Sequence, residues 1–244
     1  MTSVSEPGAS SAPMGLLARF VGVITAPRAT FQHVVANPRW FGMLVLTTLI
    51  IIVCTAGPMF TESGRAAALD QQVRQTEAFG ITVNEEMYAQ MERNMRFAPY
   101  TTAGAILVFT PVMLLIVTGI LFAIFNAAMG GEATFKQLLS VIVHAGVISA
   151  LGQLFTAPLN LLRGEAGSAT NLGVLLPVID EGSFLGRLLG MIDLFIVWWV
   201  IVLAIGLAVL YRRRTQPIAI SLFAVYAVIA LAIAAAMSSF GGSN

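Results

Sequence analysis

The charged residues of this 244-residue chain are spread unevenly, so that five long windows contain none of them: residues 40–61, 97–131, 137–162, 194–211 and 215–244. Each window is apolar and about as long as a helix that crosses roughly 30 Å of hydrocarbon. The pattern therefore predicts an all-α, polytopic transmembrane helical bundle. Within a membrane domain at 39–240, five spans are expected at about 40–60, 101–129, 138–161, 185–210 and 217–237.

The largest polar segment, residues 61–98, separates spans one and two. Gly80 divides it into two stretches with helical spacing, and Thr82-Val83-Asn84-Glu85 fits a capping box at the start of the second. The segment is therefore predicted to form an extramembrane helical hairpin. Met87, Met91 and Met95 share one face of its second helix, which either docks a partner or packs on the other helix of the hairpin.

The amino-terminal region divides into two parts. Residues 1–13 consist mostly of Ser, Ala, Pro and Gly and are expected to be disordered. Residues 14–38 carry apolar side chains at helical spacing beside basic residues, in helices too short to cross a bilayer. This pattern predicts amphipathic helices that lie in the headgroup plane of the membrane.

Composition supports the membrane assignment and excludes several other classes. Hydrophobic residues make up 57% of the chain and charged residues 10%, whereas a soluble domain carries about a quarter charged residues. A net charge of +1 argues against a nucleic-acid partner, which requires a basic face. The one cysteine, Cys54, excludes both an internal disulfide and a multi-thiolate metal site.

Catalytic motifs are missing from the sequence. It contains no Gly-rich phosphate loop ending in Lys-Ser/Thr and no His-Glu-x-x-His zinc motif. His144 and Ser149 lie five residues apart on one predicted helix and point about 140° apart, which excludes this pair as a dyad. We therefore expect no enzymatic activity and no cofactor. An enzyme that acts on lipids is a weaker alternative, for which the sequence offers no identifiable catalytic residues.

Among the polar residues inside the predicted spans, Asp193, Gln153 and His144 are the candidates for a functional role. An acid within a span is costly and is a functional candidate by default, although it can also hold helices together by hydrogen bonds. Asp193 and His144 lie near opposite ends of their spans, so a direct ion pair between them is not expected. Gln153 is closer in depth to Asp193, and these two are predicted to approach each other.

The basic residues favour one orientation. With a cytoplasmic amino terminus, the inside would hold seven basic residues and the outside six. Arg212–Arg214 lie in a loop of a few residues between two spans, and Arg39 adjoins another span, so both count strongly. We therefore expect the amino terminus inside and the carboxyl terminus outside.

Four short elements occur in order along the chain: Pro27-Arg28-Ala29-Thr30-Phe31, then Asn37-Pro38, then Gly130-Gly131-Glu132-Ala133-Thr134-Phe135-Lys136-Gln137-Leu138, and then Asp193-Leu194-Phe195 with Trp198. With the five predicted spans, this order of parts resembles the bacterial branch of the Yip-domain family of Ypt/Rab-interacting membrane proteins. The resemblance covers about residues 14–240.

The resemblance implies a five-span integral membrane protein without known enzymatic activity, in the bacterial inner membrane. Eukaryotic members work with small GTPases in vesicle traffic, a pathway that bacteria lack, so that partner is not carried over. Some bacterial members resemble accessory subunits of ABC-type exporters, which fits a chain without an ATP site.

The prediction is thus a non-enzymatic scaffold or accessory subunit that contacts lipids and another membrane complex, such as an ABC transporter. The alternative is a small carrier or channel in which Asp193 and Gln153 line a polar path. Assembly into a homo-oligomer is compatible with either function. The predicted docking residues lie on the amphipathic helices, the hairpin stripe and the Gly-rich loop: Leu16, Phe20, Phe31, Met87, Met91, Met95, Gly130, Gly131, Phe135 and Lys136.

Overall fold

The computed structural model describes residues 14–167, 169–175 and 183–240. The segment 1–13, predicted to be disordered, lies outside these ranges. The described residues form twelve α-helices and no strand: α1 (Leu16–Thr25), α2 (Pro27–Ala36), α3 (Phe41–Ala56), α4 (Glu62–Ala78), α5 (Glu85–Asn94), α6 (Ala98–Phe122), α7 (Phe135–Ala145), α8 (Val147–Arg163), α9 (Leu172–Leu175), α10 (Phe184–Met191), α11 (Leu194–Leu210) and α12 (Thr215–Phe240).

Within the described ranges, four helical segments are long and apolar enough to cross a membrane: Phe41–Phe60, Glu85–Ala128, Phe135–Arg163 and Thr215–Ser239. They contain four of the five predicted spans. Two apolar helices are shorter than these segments: α1, with 10 residues, and α11, with 17 residues, which lies within the predicted fourth span. The all-helical, multi-pass prediction is confirmed.

The predicted fourth span, residues 185–210, is not one helix. Helix α10 ends at Met191, Ile192 is extended, and Asp193 is the N-cap of α11. The prediction that Asp193 lies inside a continuous helix is therefore wrong. A cap needs an extended backbone and a short acceptor side chain, and Asp193 provides both.

The polar segment between the first two spans forms α4 and α5, joined through Gly80 at a φ of +79°. Helix α5 begins at Asn84, whose side chain accepts a hydrogen bond from Met87 N at 2.9 Å, so the capping box predicted at Thr82 is wrong. Through a 3₁₀ turn at Met95–Phe97, α5 continues into α6. The hairpin therefore ends in a helix that enters the bundle without a break.

Helix α7 is the centre of the bundle. A capping box of Thr134 and Gln137 starts it, and every residue from Leu138 to Ala145 is buried. It packs against α2, α6 and α11. Helices α6 and α12 instead expose many large apolar side chains, such as Phe109 at 64% and Val228 at 66%, as expected for surfaces in contact with lipid.

Helices α1 and α2 do more than lie on the bundle surface. Val23, Phe31 and Val34 are completely buried, and α2 packs along both α7 and α11. The Phe31 ring lies 3.1 Å from where a Cβ atom on Gly206 would be. The two helices exist as predicted, but α2 belongs to the core in a way that its amphipathic pattern did not indicate.

Candidate functional site

The alternating direction of the long helices gives the bundle two ends. One end, here called the loop end, holds α1, α2, the 129–134 connection and the 211–214 turn. The other, the hairpin end, holds α4, α5, α10 and the 164–171 connection. Each end contains a cavity lined by residues that the sequence had singled out.

The cavity at the hairpin end has a volume of about 540 Å³ and lies among α3, α4, α8 and the start of α11. Asp193 and Gln153 both line it, together with Thr156, Asn160 and Thr170. The structure thus brings the two residues of the predicted polar path to one cavity. Its lining on α8 begins at Ser149, so it occupies only the hairpin half of the bundle.

Asp193 is held by a dense set of hydrogen bonds. Its Oδ1 accepts from Phe195 N at 2.7 Å and from Ile196 N at 3.3 Å, which caps α11. Its Oδ2 accepts from Thr170 Oγ1 at 2.6 Å, and Leu194 N donates to Thr170 O at 3.2 Å. These hydrogen bonds connect the 164–171 segment to the start of α11, so the Asp193 carboxylate has a structural role at this position.

His144 pairs with a residue from the amino-terminal region, not with Asp193. Arg19 Nη1 lies 3.3 Å from His144 Nε2 and donates to Arg39 O at 2.8 Å. Because a guanidinium can only donate, His144 Nε2 accepts, and its Nδ1 donates to Ser140 O at 2.7 Å. Burial, and then the charge of Arg39, lower the pKa of Arg19.

Sequence reasoning did not single out Arg19, although a signal was present. It lies three residues after Leu16 and four before Val23, on the apolar face of α1, where a charge needs a partner. The pairing joins α1 to the fully buried His144 across 125 residues of sequence. Among the described residues, Arg19 Nε and Ser140 Oγ are buried without a hydrogen bond.

The Gly-rich connection at the loop end is folded tightly against α11. Gly130 has a φ of +67°, and a Cβ atom on Gly131 would lie 2.7 Å from both Phe125 O and Tyr211 Cε1. The Tyr211 ring stacks on Phe125 at 4.7 Å, and its hydroxyl donates to Asn126 Oδ1 at 2.8 Å. Both glycines of the motif therefore have steric reasons to be glycine.

The rest of this connection leaves part of the predicted surface accessible. Gln137 Nε2 donates to Val35 O at 3.2 Å, which ties the start of α7 to α2. Phe135 is 39% exposed and contacts Phe122 edge-on, and Lys136 is exposed. Phe135 and Lys136 can therefore reach a partner or a headgroup, whereas Gly131 acts mainly through packing.

Replacing Gly131 with Ala should lower the free energy of unfolding by about 1–2 kcal/mol, because the new methyl group must displace the Tyr211 ring or the Phe125 carbonyl. Equilibrium unfolding of the purified wild-type and variant proteins in mild detergent measures this difference in free energy. Gly119→Ala is the matched control, since a Cβ atom at Gly119 meets nothing within 4 Å. Equal stability of the two variants would show that the close contact at Gly131 is not formed.

The other predicted docking residues differ in accessibility. Met87, Met91 and Met95 are half-buried, and α5 has no fully buried residue. Leu16 and Phe20 are partly buried against the core, and Phe31 is completely buried. The hairpin stripe, Leu16 and Phe20 are therefore partly accessible, and Phe31 is a core residue. Among the described residues, no group of three or more His, Cys, Asp or Glu side chains could hold a metal ion.

The chain is similar to a known membrane protein over nearly its whole length. A protein of Bacillus subtilis (strain 168) named membrane protein YknW is 27% identical over 228 residues, covering 91% of this chain and 88% of the relative. No solved structure matches the chain. The sequence model of the Yip1 domain matches residues 21–237, from the second turn of α1 almost to the end of α12. This match spans every buried helix described above, and the chain belongs to the Yip1 domain family.

Proposed function

We propose that this protein is a non-enzymatic scaffold or accessory subunit of a larger complex in the bacterial inner membrane, such as an ABC-type exporter. In this proposal α11 crosses the membrane as the fourth of five spans, the amino terminus is cytoplasmic, and the hairpin stands outside. The observation that carries the proposal is the half-buried methionine stripe on α5, a helix that is otherwise polar and projects from the end of a span.

The stripe has the properties of a docking surface. Met87, Met91 and Met95 lie at helical spacing, and the neighbouring Tyr88 is 46% exposed. Methionine side chains adapt to partners of varied shape, and tyrosine is enriched at interfaces. Because α5 runs directly into α6, the stripe is held at a fixed position relative to the bundle.

The charge distribution supports the orientation. Arg212, Arg213 and Arg214 lie in the short turn between α11 and α12, and Arg213 Nη2 donates to Met129 O at 3.1 Å. Basic residues this close to helix ends determine topology most strongly, and they favour the cytoplasmic side. Lys136, at the start of α7, lies at the same end of the bundle.

A photoreactive residue in place of Met91 should crosslink to one discrete partner in native membranes. The physical reason is that Met91 lies at the middle of the stripe, where a docked subunit would be in direct contact. Mass spectrometry of the adduct identifies the partner, and a subunit of an ABC-type exporter would support the proposal in full.

Arg93 is the matched control, because it is exposed on the same helix. It lies about 200° of rotation around the helix axis from Met91, so it is on the opposite face. The adduct should be absent from that position. Equal crosslinking at the two positions, or none at Met91, would contradict a docking role for the stripe.

The cavity that brings Asp193 and Gln153 together favours a second candidate, a small carrier or channel. A carrier would use the ionised carboxylate itself, whereas a scaffold requires only the hydrogen bonds that Asp193 makes. Substitution of Asp193 therefore separates the two functions, as argued in the Discussion.

A further inference from the structure

The cavity at the loop end has a volume of about 420 Å³. A docking function of the hairpin, at the other end of the bundle, does not account for this cavity. Its walls come from the Gly-rich connection, from Val35 and Gln137, and from the end of α11 with the turn that follows it. Three charged residues line it: Glu132, Arg212 and Arg213. It is therefore a polar cavity formed where several helices end.

The turn that forms one wall has an unusual backbone. Arg212 has a φ of +51° and is the one residue other than glycine with a positive φ in the described part of the chain. Arg212 is the left-handed residue that follows the C-cap of α11, and the N–H of the next residue reaches back to the last turn of the helix, as in a Schellman motif. Glycine is the usual residue at this position, because an L-residue with a side chain rarely adopts the conformation. Arg213 is fixed from two sides, since its backbone N–H donates to Ala208 O at 3.0 Å and its guanidinium to Met129 O at 3.1 Å.

The charges in the cavity are not neutralised within the described residues. The described residues form two ion pairs, Arg74–Asp70 and Arg163–Glu165, and both pairs lie at the hairpin end, away from this cavity. Glu132 is too far from either arginine of the cavity to form an ion pair with it. The lining therefore offers two positive charges and one negative charge, a net balance that favours an anion.

The surroundings of the cavity indicate a lipid as the source of that anion. The cavity lies at the ends of membrane helices, where the headgroups of a bilayer are found. Met129 and Phe135 beside it are 42% and 39% exposed, so acyl chains would meet apolar side chains next to the polar cavity. Basic pockets between membrane helices bind anionic headgroups in this way.

We propose that this cavity binds the phosphodiester headgroup of an anionic phospholipid such as phosphatidylglycerol. Arg212 and Arg213 donate hydrogen bonds to the phosphate, for which the guanidinium geometry is well suited. The Glu132 carboxylate accepts hydrogen bonds from hydroxyl groups on the far side of the headgroup. The net positive lining selects this headgroup over the zwitterionic one of phosphatidylcholine.

The test is lipid binding to the purified full-length protein in a neutral detergent, with native mass spectrometry giving the apparent Kd for phosphatidylglycerol. Arg212→Gln should weaken binding about fivefold, because one arginine contact to the anionic headgroup is lost. Arg212→Gly should show the same loss while relieving the strained φ, so a folding defect cannot account for it.

Arg214→Gln is the matched control, since Arg214 is exposed in the same turn but does not line the cavity. It should change the apparent Kd by about twofold or less, as expected for a screened surface charge. Equal losses at Arg212 and Arg214 would overturn the proposal in favour of diffuse attraction. Equal binding of phosphatidylcholine would also overturn it, as would displacement of the lipid by millimolar inorganic phosphate.

Discussion

Replacing Phe31 with Ala should lower the free energy of unfolding by about 3 kcal/mol. The side chain is completely buried, and its ring lies against Gly206 on α11. Truncating a buried Phe removes its packing and leaves a cavity, which costs about 3–5 kcal/mol in well-packed cores. Equilibrium unfolding in mixed micelles, followed by tryptophan fluorescence, measures the difference.

Phe41→Ala is the matched control, because Phe41 is 66% exposed at the start of α3. Its loss should change the stability much less. If the two variants were equally stable, Phe31 would not be part of the core. The original expectation, that Phe31 serves as a docking residue on an interfacial helix, would then be favoured.

Replacing Asp193 with Ala should lower the free energy of unfolding by about 2 kcal/mol, whereas Asp193→Asn should cost less than half as much. Alanine removes the acceptor for Phe195 N and Ile196 N and leaves the Thr170 hydroxyl without this partner. Asparagine is an equally good N-cap and keeps one acceptor oxygen. The same micelle unfolding assay measures both variants.

Asn84→Ala serves as the control, since Asn84 caps α5 through one exposed hydrogen bond to Met87 N. It should cost about 1 kcal/mol or less. Function distinguishes the two candidates more sharply than stability. A scaffold should retain its activity with Asp193→Asn, because the cap hydrogen bonds from Phe195 N and Ile196 N persist. Loss of activity in that variant, at normal abundance and stability, would instead support the carrier.

Parts of the fold could be predicted from sequence because their signals are local. Charge-free windows gave the membrane helices, and Gly80 marked the break between α4 and α5. Apolar composition indicates that a window is helical, but it does not show where the helix is interrupted. Asp193 illustrates this: one polar residue in an apolar window looks like a buried acid until the extended backbone at Ile192 identifies it as a cap.

The remaining differences arise from contacts between residues distant in sequence. The stripe that contains Phe31 and Val34 fits a lipid interface as well as it fits a groove between α7 and α11. The absence of a side chain at Gly206, 175 residues later, leaves room for the Phe31 ring in this groove. The pairing of Arg19 with His144 depends in the same way on two helices meeting in the folded bundle.

The continuous segment Glu85–Ala128 gives the molecule a mechanical property. An ideal α-helix of its 44 residues would be about 66 Å long, more than twice the thickness of the hydrocarbon core. Its regular hydrogen bonding changes at the 3₁₀ turn of Met95–Phe97, at Pro111 and at the π-helix Ala123–Ala128. One end carries the methionine stripe, and the other ends two residues before Gly130. One run of helix thus connects the predicted docking surface on one side of the membrane to the Gly-rich connection on the other, and any bending of that run is expected at these three places.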